Sequence, residues 1–196
     1  MKQIMMAMCL SLFMLIPASA QPAAWRTDKA HSRVQFSVSH LVVSEVTGRF
    51  KDFDVTLQQA NEDFTGSRIE AIIKTASIDT DNENRDKNLK SDDFLNAEKY
   101  PDIVFKSTAF ETSGKDAYTI KGDLTIRDIT KPVVLDAKLN GMIEDGRKNP
   151  RAAFKATTSI NRFEFGTKWN KTLDTGGLIA GETVVITLVM ELVKAI

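Results

Sequence analysis

Apolar residues recur at every second position in eight separate stretches of this chain, and no other feature constrains its fold as much. Successive side chains of a strand point to opposite faces, so a period of two describes a strand with one apolar face. Val34, Phe36 and Val38 share one parity, while Arg33, Gln35, Ser37 and Ser39 take the other. The pattern repeats at Phe53, Val55 and Leu57, then at Ile69, Ala71 and Ile73, then at Ile103 and Phe105. Ile120, Leu124 and Ile126 follow, and after them Val133, Leu135, Ala137 and Leu139. Phe154, Ala156 and Ile160 make a seventh set, and Val184, Ile186, Leu188, Met190 and Leu192 an eighth.

Turn residues join most of these strands, at 61–66, 113–116 and 144–150. Short turns favour antiparallel neighbours, because a parallel pair needs a long crossover. With few helices to cover them, the apolar faces must cover one another, as a sandwich or as one sheet closed on itself. Strand order favours the second: an all-β, eight-stranded antiparallel up-and-down barrel.

Two connections are longer. Residues 79–99 carry eleven charged residues in 21, and Thr80 with Glu83 has capping-box spacing for a short helix at about 80–97. Its apolar stripe is too narrow for a core position, so the segment reads as a lid or flank held by Leu89, Phe94 and Leu95. Residues 162–181 are rich in Gly and aromatics, and a connection of that length in a compact domain is often functional.

The first twenty residues have the layout of an export leader: Lys2, a short apolar run from Ile4 to Ile16, and Ala18-Ser19-Ala20 as a cleavage site. Cleavage after Ala20 is expected to leave one exported domain, 21–196. Neither the leader nor any later stretch supplies the roughly 20 apolar residues of a membrane-spanning helix, so no stable membrane insertion is expected. The segment 21–196 carries 25 basic and 26 acidic residues, which gives no support for nucleic acid as a partner. The one cysteine, Cys9, lies in the leader, which excludes thiol catalysis and cysteine metal sites from the rest.

His31 and His40 are the only histidines. Nine residues of extended strand separate them by about 30 Å, and the odd spacing sets them on opposite faces, so they cannot share one ion. His31 is expected to be structural, near the start of its strand. Residues 79–90 fail as a calcium loop, with Asn84 in place of the required Gly and Lys90 in place of the bidentate Glu. No nucleophile elbow, zincin motif, phosphate loop or dinucleotide fingerprint occurs, so no catalytic residue, metal ligand or cofactor site is assigned. What remains is the interior. A barrel of eight strands is either filled by its side chains or holds one small ligand, and periodicity does not separate these outcomes.

Four ordered stretches, DKAHSRVQFSVSHLVVSEVTGRFKDF, SIDTDNENRDKNLKSDDFLNAEKYPDIVFKST, GDLTIRDITKPVVL and INRFEFG, resemble the YceI family of exported proteins. The resemblance implies a periplasmic location and a lipocalin-like barrel whose elongated cavity takes a polyisoprenoid or a prenylated quinone or phenol, with no established enzymatic activity. The cavity wall is then expected to include Phe36, Val38, His40, Phe53, Leu57, Ile73, Phe105, Leu124, Leu135 and Phe154. Arg162, Phe165, Trp169, Ile186 and Leu188 complete the expected wall, with His40 and Arg162 nearest the ligand's polar head. An apolar small molecule is the expected partner, with a membrane-protein client or a second copy left open. The alternatives are an enzyme acting on a lipid head group and a filled-barrel interaction protein.

Overall fold

The computed structural model describes residues 22–172 and 178–195; the expected leader lies outside them. The described residues contain eleven strands and one α-helix: β1 (Ala23–Thr27), β2 (Arg33–His40), β3 (Ser44–Phe50), β4 (Phe53–Gln59), β5 (Arg68–Lys74), β6 (Ile78–Asp79), α1 (Glu83–Lys90), β7 (Asp102–Gly114), β8 (Ala117–Ile126), β9 (Ile129–Glu144), β10 (Pro150–Asn161) and β11 (Ala180–Lys194). Every pairing among them is antiparallel.

Eleven strands reduce to eight staves. β1 and β2 both run along β11, β3 and β4 run along β2 and β1, and β6 and β5 run along β3 and β4. Each of these pairs is one stave with a break, and β7 to β11 supply five more. The staves follow one another in chain order, and pairing of β1 with β11 closes the barrel. The expected count and order therefore hold. The alternation signal missed β1, β3 and β6: β1 and β6 are short, and in β3 Gly48 interrupts the apolar positions Val46 and Phe50.

The breaks keep their hydrogen bonds. At residues 28–32 the chain leaves the ladder, and the Ser32 hydroxyl both donates to the Glu191 carbonyl at 3.2 Å and accepts from the Glu191 N–H at 3.0 Å. At residues 51–52 the Lys51 N–H reaches the Ser77 carbonyl at 3.1 Å, and the Lys74 N–H reaches the Asp52 carbonyl at 2.9 Å. The third stave breaks opposite, in a 3-10 turn at Thr75–Ser77, so adjacent staves bend together. Beside the second break, a Cβ on Gly48 would lie 2.4 Å from Phe36 Cζ, so the Phe36 ring occupies the place of the missing side chain.

One end of the barrel is closed by aromatics. Phe64, 0% exposed, folds inward from the 60–67 turn and meets Phe154 edge-on at 5.1 Å and Trp25 at 5.7 Å. Tyr118 packs on Phe110 at 5.0 Å. Both polar tips are satisfied: Trp25 Nε1 donates to Gln59 Oε1 at 3.0 Å, and the Tyr118 hydroxyl donates to the Asp63 carbonyl at 2.9 Å. The other end carries α1, the 41–43 turn, the 127–128 turn and the long connection before β11.

Candidate functional site: an apolar cavity with one polar rim

Between these ends the inward side chains leave a cavity of about 540 Å³. Its size falls within the range of sites that hold one small molecule. Phe36, Val38 and His40 line it from β2, Leu57 from β4, Ile73 from β5, Phe105 from β7, Leu124 from β8, Leu135 from β9, Phe154 from β10, and Ile186 with Leu188 from β11. Arg162, Phe165 and Trp169 line it from the long connection. Phe53 corrects the expectation. It is buried in the core at the bend that opens β4, and its ring is not part of the cavity wall although Val55 and Leu57, of the same parity, are. Parity fixes the face of the sheet, whereas position along a bent stave decides whether that face meets the cavity.

Sequence periodicity overlooked Val46 and Phe50 of β3, and Phe110, whose ring belongs both to the aromatic end and to the cavity floor. Val46 and Phe50 share a parity that could have been read once the glycine between them was discounted. Phe64 had a weaker signal, a lone aromatic in an otherwise polar turn.

Polar groups gather at the open end, where His40, Arg85, Asn88, Arg162 and Thr167 join the lining, and none of the lining side chains is acidic. α1 sits over this rim as the expected flank, with Leu89 and, beyond it, Phe94 and Leu95 turned to the cavity. Its cap differs from expectation. Asn82, not Thr80, accepts from the Arg85 N–H, at 3.0 Å. Thr80 instead ties the helix to β6: its hydroxyl donates to Asp86 Oδ1 at 2.5 Å and accepts from Arg85 Nε at 2.8 Å. Buried polar groups need partners, and here the short helix and the strand end supply each other's. Asp79, the first residue of the discounted calcium loop, is taken by Lys51 at 2.8 Å and Arg49 at 2.9 Å, which hold its pKa down at about 2.

The long connection is bound to the lid. Phe94 stacks on Trp169 at 5.6 Å, and the Lys168 and Trp169 N–H groups both donate to the Asp93 carbonyl. Arg162, 7% exposed, organises this region from beneath. Its Nε donates to the Gly181 carbonyl at 2.8 Å, Nη2 to Ala180 at 3.1 Å, and Nη1 to the Trp169 carbonyl at 2.6 Å and the Thr167 hydroxyl at 3.3 Å. Burial lowers its pKa. Most of its donors are committed to the loop and the start of β11, so little remains for a ligand head group. His40 is less constrained: among the described residues its ring has no hydrogen-bond partner.

His31 lies far from this site. Its Nδ1 is 3.1 Å from Asp28 Oδ2 at the first stave break. Asp28, His31 and Glu191 are close enough to hold a cation. Arg151 already occupies that role, with Nη1 at 2.7 Å from Asp28 and 2.6 Å from Glu191. Guanidinium and the His31 ring hold the Asp28 carboxyl at about 2.

A YceI-like domain profile matches residues 25–192. The chain belongs to the YceI family. It is 38% identical over 170 residues to protein YceI of Escherichia coli, which covers 86% of this chain and 88% of that protein. Among solved structures, the YceI protein of Campylobacter jejuni superposes with a TM-score of 0.69 at 29% identity, over 86% of this chain and 96% of that one. A polyisoprenoid-binding domain from Saccharophagus degradans shares the fold, with a TM-score of 0.66 at 12% identity, over 88% of this chain and 99% of that one. Within this YceI barrel the cavity of about 540 Å³ stands in place of a filled interior.

Proposed function

We propose that this protein is a periplasmic, non-catalytic carrier that holds one long apolar amphiphile in its barrel, a polyisoprenoid or a prenylated quinone or phenol. The observation that carries this reading is a largely apolar cavity most of whose polar side chains gather at one rim. An isoprenoid tail gains about 0.8 kcal/mol for each methylene removed from water, so such a wall holds a chain without specific contacts, and affinity follows chain length. The head group then rests at the open end, beside His40. The export leader supports the location, and the polyisoprenoid-binding neighbour supports the ligand class.

Native mass spectrometry of freshly purified mature protein, followed by organic extraction, tests the proposal. A mass excess that extracts as a prenyl lipid is the expected result. Protein that neither carries nor takes up any prenyl lipid, even when supplied in detergent, would sink it.

A further inference from the structure

The β2–β3 turn is built from residues that turns avoid. Turns with positive φ at both central residues are the province of Asn, Asp and Gly, yet here the central pair is Leu41 and Val42, with φ of 52° and 64°, and Val43 follows. A β-branched residue in the left-handed region is strained, and strain of this kind persists where the surroundings enforce it. Here the enforcing bonds are the Leu41 N–H to the Ile179 carbonyl at 2.9 Å and the Val43 N–H to the His40 carbonyl at 3.2 Å. The consequence is outward display: Val42 is 73% exposed and Val43 86%.

The display is at the cavity mouth. Val38 and His40 before the turn, Val46 after it, and Ile179 bonded to it all line the cavity. No Lys, Arg, Asp or Glu occurs from Val34 to Ser44. The β2–β3 hairpin therefore carries no charge of its own from the cavity wall at Val34 to the end of the exposed tip. Three side chains are too few for a second copy of the chain to dock on, since a stable dimer takes about 800 Å² from each partner. They suffice for a shallow, reversible contact with the interfacial zone of a bilayer, where apolar side chains at a tip find a favourable place.

We propose that the tip at residues 41–43 is a membrane-docking element. It enters the surface of a bilayer, sets the cavity mouth against it, and lets an apolar chain pass between bilayer and barrel without crossing water. The route rests on reading the cavity as a lipid site; the docking itself does not.

Two measurements on the mature protein separate these claims. One is cosedimentation of ligand-free protein with vesicles of phosphatidylethanolamine and phosphatidylglycerol; the other is transfer of a fluorescent prenyl lipid between such vesicles. The variant V42N/V43S places favoured turn residues on the same backbone. It is expected to keep or raise the thermal midpoint while vesicle partitioning and transfer rate both fall about tenfold, as loss of apolar contact at an interface demands. M142S/I143S, at the other apolar hairpin of the barrel, is expected to leave both unchanged. Cosedimentation of V42N/V43S at the wild-type level would overturn the proposal, as would a tip variant that changes oligomeric state instead of vesicle binding. Tip-dependent cosedimentation of a protein that never loads lipid would support docking and defeat the carrier reading alone.

Discussion

At the closed end of the barrel Phe64 is 0% exposed, and at the open end Val43 is 86% exposed, although both are large apolar residues in tight turns between neighbouring staves. The turn at 60–67 folds its aromatic into the barrel, where Trp25, Phe110, Tyr118 and Phe154 complete an edge-to-face cluster with satisfied polar tips. The turn at 41–43 holds its apolar residues away from the barrel. Burial at one end stabilises the fold, while the other end gives up that stabilisation at the edge of a cavity. The contrast divides the molecule into a half that carries stability and a half that carries ligand access.

The sharpest way to break this division is Phe64→Ala. Removing the most buried ring is expected to cost about 3–5 kcal/mol in urea unfolding, because the rigid cluster cannot collapse into the space left. Variant protein that still folds should retain ligand binding, since Phe64 does not line the cavity. Loss of affinity at full stability would join the two halves.

Ala156→Phe tests the wall between the ends. Ala156 is buried and lines the cavity. Overpacking at such a site typically costs about 1–3 kcal/mol, less here because open space adjoins it, and the larger effect should be on the ligand. Each methylene displaced from the cavity should weaken binding by about 0.8 kcal/mol, and titration with prenyl alcohols of graded length should report a shorter optimum.

At the open end, Trp169→Ala removes the stack on Phe94 and is expected to cost about 1 kcal/mol of stability. Its main effect should be faster ligand dissociation, measured by chasing a fluorescent amphiphile with unlabelled lipid. An unchanged off-rate with a large loss of stability would place the connection in the structural half.

The smallest effect concerns pH. Asp79 at the rim and Asp28 at the first stave break both have pKa values lowered from 3.8 to about 2. A carboxyl depressed on folding stabilises above its unfolded pKa and loses that contribution as pH falls through the folded one, here between about 4 and about 2. Thermal melts across that window should fall less steeply in Asp79→Asn and Asp28→Asn than in the wild type. Ligand retention at low pH should change only in Asp79→Asn, whose partners hold the region of the lid.

Much of this division was invisible in the sequence. Alternation placed Phe36, Val38 and His40 on one face and led directly to the cavity wall, because a strand's side-chain period is fixed by its backbone. It placed Phe53 with Val55 and Leu57 equally well, and there it failed, because the bend at residues 51–52 turns the first of the three out of the cavity wall. Thr80 looked like a cap by spacing to Glu83, but its hydroxyl is engaged by the Asp86 and Arg85 side chains and Asn82 takes the cap position. Arg162 looked like a head-group ligand, and its guanidinium instead gathers two oxygens of the long connection and two carbonyls at the start of β11.

By itself, then, the sequence determined eight apolar-faced staves, their antiparallel order and the absence of familiar catalytic motifs, because these follow from local periodicity, turn length and residue type. Only the tertiary structure decided that the interior is open, which end is plugged and which turn is displayed. Those outcomes depend on how far apart opposite walls stand once β1 closes on β11, and on which turn side chains the closed barrel has room to admit.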